Sequence, residues 1–238
     1  MTTRRMCRST AFLLGVLAVI GLIVACGSSQ KSDAGVGRTT VLSTTSESWR
    51  FVINPPFDAT SPFGEGLAAV RIGDEKTGKY GFIDKQGKMV ISPQFDLAFP
   101  FSEGLAAVRI GDEKTGKWGY IDKQGKMVLN PQFDGTSPFS EGLAAVRIGD
   151  KKTGKYGYID KQGKTVIHSQ FDLAFQFSEG LAAVRIGDST TGKYGGYIDK
   201  QGKMVINPQF DWQGSFGEGL AAVRIGDDKT GKWGYISR

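Results

Sequence analysis

The chain has 238 residues, 39% of them hydrophobic, with 34 glycines against 8 prolines and a formal charge of +6. A chain this long can bury a large share of its surface without disulfides or metals, and so much glycine without a G-X-Y period points to tight turns rather than collagen. Arg4, Arg5 and Arg8 supply half of the net charge; elsewhere the two signs are interleaved, which argues against the concentrated basic face of a nucleic-acid binder.

Residues 1–10, "MTTRRMCRST", are basic, and the apolar run "AFLLGVLAVIGLIVA" follows up to Ala25. A basic head, a short apolar stretch and small residues at its end describe an export signal; fifteen apolar residues fall short of the ~20 that a spanning helix needs. The residues "IVAC", Ile23 to Cys26, resemble the lipobox of bacterial lipoproteins. That resemblance implies a signal peptide over 1–25, lipidation of Cys26, and attachment to a membrane on its extracytoplasmic side, in a bacterial cell envelope. An uncleaved anchor is the alternative. Residues 27–48 are rich in Ser, Thr and Gly and read as a flexible tether, giving a lipidated segment over 26–48 with a mean reach on the order of 25 Å. Cys7 and Cys26 are the two cysteines, so residues 49–238 hold no disulfide framework.

Residues 49–238 form one domain, in which one unit is written five times. "EGLAAVRIGD" starts at Glu65, Glu103, Glu141, Glu179 and Glu218, and the doubled Gly195-Gly196 adds one residue to the fourth unit. Each unit predicts three short antiparallel strands, of the kind "LAAVRI" (67–72), "KYGFID" (79–84) and "KMVI" (88–91), so the fold class is all-β. Apolar residues occur on both faces, which predicts sheets stacked on both sides. Gly78 and Gly87 are placed where hairpin turns use positive φ, and Pro93, which lacks an N–H, is placed at the end of the third strand. "GDEKTGKYG" (73–81) comes close to a phosphate-binding loop. It joins two strands rather than a strand to a helix, it recurs five times, and Tyr80 stands where a magnesium ligand is needed, so no nucleotide or other cofactor is expected.

The fifth unit stops at "KWGYISR" with two strands, whereas "RFVINPPFD" (50–58) aligns with "KMVINPQFD" (203–211) and has no unit before it. The leading strand is therefore expected to complete the last unit and close a β-propeller-like ring of five three-stranded units. An open β-solenoid-like array is the alternative.

"KWGYIDKQGKMV" (117–128) resembles the bacterial WG-repeat family, with the pair at Trp118-Gly119 and Trp233-Gly234 and tyrosine in place of tryptophan at Tyr80, Tyr156 and Tyr194. The resemblance spans residues 50–238 and implies a β-rich repeat, often exported, with no shared enzymatic activity. His168, the single histidine, has no companion for a metal site, and carboxylates that recur in every unit do not make one asymmetric catalytic pair. No catalytic residue and no metal ligand is assigned. Recognition is expected where the units differ, after each "QFD", at Phe99, Phe175 and Trp212; filling gaps between units is the competing role for these three. The expected function is that of a non-catalytic, lipid-anchored binding module with a protein or glycan partner. A cell-wall or glycan binder and a ring-shaped hydrolase are the alternatives.

Overall fold

The structure, a computed structural model, describes residues 51–53, 56–187 and 195–238. The signal segment 1–25, Cys26, the tether and Arg50 lie outside the described residues.

Among the described residues, five small antiparallel sheets follow one another in chain order. The first comprises β1 (Ala59–Thr60), β2 (Leu67–Ile72), β3 (Lys79–Asp84) and β4 (Met89–Phe95). The second comprises β5 (Leu97–Ala98), β6 (Ala106–Ile110), β7 (Lys117–Ile121) and β8 (Met127–Phe133). The third comprises β9 (Gly135–Thr136), β10 (Ala144–Ile148), β11 (Lys155–Ile159) and β12 (Thr165–Phe171). The fourth comprises β13 (Leu173–Ala174), β14 (Ala182–Arg185), β15 (Gly195–Ile198) and β16 (Met204–Phe210). The fifth has three strands, β17 (Trp212–Gln213), β18 (Leu220–Ile225) and β19 (Lys232–Ser237).

Three expectations need correction. The segment after each "QFD" is an edge strand: Leu97 pairs with Arg109 and Ala98 with Val108, so the complete units have four strands rather than three. The third predicted strand does not end at Pro93. It runs on to Phe95, with register shifts between the pairs Tyr80–Phe95 and Phe82–Ile91. A bulge on an edge strand tolerates a residue that cannot donate, and Pro93 sits in that bulge. Gly78 does not adopt positive φ, although Gly73 (φ 101°) and Gly87 (φ 80°) do. A side chain at Gly78 would strike the carbonyl oxygens of Gly73 and Asp74 instead. The loop beside it is held by Asp74, whose carboxylate accepts the N–H groups of Lys76 and Thr77 and the Thr77 hydroxyl. Those bonds, the Thr77 hydroxyl foremost, draw the Asp74 pKa down to about 2.

The sheets stack face to face, as the apolar residues on both sides require. In the first junction Leu67, Ala69, Phe82, Ile91 and Phe95 pack on Ala98, Phe101, Ala106, Val108 and Ile121. Equivalent sets fill the next three junctions. Phe82 meets Phe101 edge to face at 4.9 Å, as Tyr158 meets Phe177. Burial drives the phenol pKa values of Tyr120 and Tyr158 upward. The hydroxyl of Tyr158 donates to the Phe175 carbonyl oxygen at 2.8 Å, so the polar tip is satisfied inside the stack.

Closure into a ring is not found. Among the described residues β19 pairs with β18 alone. Ile53 and Phe57 of the leading segment pack on Ala68, Val70 and Ile83 of the first sheet.

Candidate functional site

The charged residues of the repeat meet at the junctions. The Glu65 carboxylate accepts the Gly104 N–H at 3.0 Å and pairs with Lys123 at 3.0 Å. Glu103 does the same with Gly142 and Lys161, and Glu141 with Gly180 and Lys200. Each of these glutamates has a positive φ, 51° for Glu65 and 53° for Glu103 and Glu141, a conformation that L-residues other than Asn and Asp seldom take. It arises in a two-residue turn with the following glycine, closed by bridges such as Ser102–Leu105. The hydrogen bond from Lys123 lowers the Glu65 pKa below its ordinary 4.5. At Glu141 burial pushes upward, but Lys200 and the Gly180 N–H outweigh it.

A second clasp runs beside the first. Lys79 pairs with Asp96 at 2.5 Å, Lys117 with Asp134 and Lys155 with Asp172, while the other oxygen of each aspartate accepts the N–H of Gly111, Gly149 or Gly187. The arginines pack over rings: Arg109 lies 5.9 Å from the centre of Trp118, and Arg147 the same from Tyr156. The lysine, glutamate and aspartate contacts tie one sheet to the next, whereas these two arginine contacts stay within a sheet.

The residues singled out in the sequence are not brought together in one place. Phe99 stacks on Trp118 at 5.0 Å with the rings 13° apart, and Trp212 meets Trp233 at 4.9 Å. Both contacts stay within one sheet, between its short edge strand or the loop after it and its Trp-Gly strand. Phe175 is at the border of exposure and His168 is exposed on β12. Gly119 is required by close approach: a side chain there would run into the Leu129 carbonyl oxygen and would come within 2.8 Å of the Pro131 nitrogen. Gly234, its counterpart in the last sheet, has nothing within 4 Å of the same position.

The pattern that recurs from sheet to sheet decides the family. The WG containing repeat matches residues 50–75, 80–113, 118–151, 156–194 and 196–233. The chain belongs to the WG-repeat family. No curated protein matches it.

Within this WG-repeat array the outer face of the last sheet differs from the faces between sheets. Tyr235 is 75% exposed, whereas its equivalents Phe82, Tyr120, Tyr158 and Tyr197 are fully buried. Trp233 is 59% exposed against 8% for Trp118, and Leu220 is open where Leu67 is buried. Arg224 lies 5.6 Å from the Trp233 ring, so Trp212, Arg224 and Trp233 form one cluster beside Tyr235. At the opposite end, an apolar cleft of about 180 Å³ is lined by Ile53, Phe57, Phe63, Ala68, Val70 and Ile83. Sequence reasoning singled out Trp212 and missed Leu220 and Tyr235.

Proposed function

We propose that the protein is an exported, lipid-anchored WG-repeat binding module of a bacterial cell envelope, held to the membrane through Cys26, and that it acts without catalysis. Its binding surface is the open face of the last sheet, around Leu220, Trp212, Trp233 and Tyr235. The observation that carries this reading is the exposure of Tyr235 where four sheets bury the same position, together with that of Trp233 where Trp118 is buried. Large aromatics at an uncovered face concentrate binding energy. The recurrent Glu65, Asp96, Lys79 and Lys123 side chains are engaged in holding neighbouring sheets together.

The partner is a protein in the leading reading. The two open indoles, Trp212 and Trp233, favour a glycan of the wall as the second, since flat rings offer a stacking platform. Crosslinking in whole cells and sedimentation with isolated cell walls separate the two. Trp212→Ala lowers capture in whichever assay reports the partner and leaves the thermal transition in place. Unchanged capture by Trp212→Ala and by Tyr235→Asp together would refute the assignment of this face.

A further inference from the structure

We propose that the cleft between the third and fourth sheets is a second binding site, one that takes a phosphomonoester between Arg147, Arg185 and the loop lysines Lys151 and Lys152. It does not depend on the open face of the last sheet.

The cleft encloses about 340 Å³. Those four cations line it, and Asp172 is the single carboxylate among its described lining residues. The charge of Asp172 is already met: one oxygen pairs with Lys155 at 2.5 Å and the other accepts the Gly187 N–H at 2.8 Å. The same place one sheet earlier, between the second and third sheets, is balanced. Its cleft of about 220 Å³ sets Lys114, Arg147 and Lys151 against Glu113, Asp134 and Asp150. The sequence of the fourth loop adds one acid, Asp188, which lies outside the described residues. Counting it leaves four cations against two carboxylates in the later cleft, where the earlier has three against three.

The difference comes from one position. Lys151 stands where the other loops have Glu75, Glu113, Ser189 and Asp228, none of them basic. The turn does not require a lysine there. Asp150 accepts the N–H groups of Lys152 and Thr153 just as Asp112 accepts those of Lys114 and Thr115, with Glu113 between them. Lys151 reaches Glu113 at 2.7 Å, but both side chains are largely exposed and water screens the pair, so the ammonium can turn to a ligand at little cost. Lys152 makes no side-chain hydrogen bond or ion pair among the described residues.

The lining selects the ligand. Guanidinium groups meet phosphate oxygens two at a time, and ammonium groups add point charge. A phosphomonoester carries about −1.5 to −2 near neutral pH, which matches the excess of cations better than a single carboxylate does. Arg147 is fixed before any ligand arrives, since it donates to the Asp134 carbonyl oxygen at 2.8 Å and lies 5.9 Å from the centre of the Tyr156 ring. The loop backbone offers no cradle, because Asp150 already accepts the N–H groups of Lys152, Thr153 and Gly154. Side chains alone hold the anion, unlike a phosphate-binding loop. Tyr156 and Leu173 give the cleft an apolar wall for the carbon skeleton of the ester.

Calorimetric titration of the full-length chain in neutral detergent tests the site with three probes: inorganic phosphate, glucose 1-phosphate and glycerol 3-phosphate. The last two stand for a sugar and a lipid headgroup as the source of the phosphoryl group. Saturable binding of at least one probe is expected. Lys151→Glu, which writes the residue of the first two loops, weakens it about tenfold or more and leaves the urea midpoint in place. Lys114→Ala, in the balanced cleft, leaves the affinity within about twofold. The tightest probe identifies the source, and equal affinity for all three assigns the site to the phosphoryl group alone. Absence of saturable binding by every probe overturns the proposal. So does binding that survives Lys151→Glu combined with Lys152→Ala, or an equal loss in Lys151→Glu and Lys114→Ala, which would mark attraction to charge anywhere on the surface.

Discussion

Tyr120 and Tyr235 hold the same place in two sheets built from almost the same letters, yet one is sealed between neighbours and the other lies open. The local strand pairing does not distinguish them: Ala107 faces Tyr120 as Ala222 faces Tyr235. What differs is the next layer, and with it the strand that covers Trp118 through Phe133. In a stacked array a residue's burial is decided by its neighbouring unit more than by its own. The last unit therefore leaves open apolar surface that the interior units spend on cohesion.

The largest test of this contrast is a pair of truncations. Phe82→Ala opens a hole in the first junction and lowers stability by about 3–5 kcal/mol, whereas Tyr235→Ala stays within about 0.5 kcal/mol of the parent. Urea denaturation of both measures the difference, and similar losses would erase the distinction between interior and end. Next come the two glycines of the Trp-Gly pairs. Gly119→Ala forces a side chain into the backbone of β8 and costs about 1–3 kcal/mol; Gly234→Ala leaves the denaturation midpoint unchanged.

A smaller effect separates the clasped glutamate Glu65 from Glu218. The folded-state pKa of Glu65 lies below 4.5, lowered chiefly by Lys123. A depressed carboxyl pKa stabilises the fold above the unfolded value, and that stabilisation is lost as pH falls through the folded one. Glu65→Gln therefore reduces the midpoint at neutral pH and narrows its gap to the parent below about pH 4. Glu218→Gln leaves the neutral-pH midpoint in place. The smallest effect is at Lys151–Glu113, an exposed pair at 2.7 Å between neighbouring loops. Lys151→Ala leaves the melting temperature within error, because water and salt screen such pairs.

The repeat, the all-β class and the two-sided packing were legible because alternation of apolar residues on short segments leaves few other solutions. The Trp-Gly glycine was legible as a recurring letter, though its reason, the approach of the neighbouring strand, was not. The bulge around Pro93 escaped because a proline reads as an end to pairing, and only the edge position of β4 shows why pairing resumes at Phe95. The left-handed glutamates escaped for a different reason. Two-residue turns advertise themselves with Asn-Gly or Asp-Gly, and Glu-Gly carries no such advertisement. The edge strands after "QFD" are two residues long, too short for any periodicity to show what Phe99 and Trp212 face. Their mates, Trp118 and Trp233, lie across the intervening strand and about twenty positions along the chain.

The passage of chain from β4 through Asp96 into β5 has a bearing on how such a gene can change. One continuous stretch finishes one sheet and starts the next, so no 38-residue segment, such as the one from Glu65 to Ser102, is a self-sufficient block. Unequal crossing-over between the near-identical copies would add or drop a whole rung wherever the break fell, with each new seam resembling an old one.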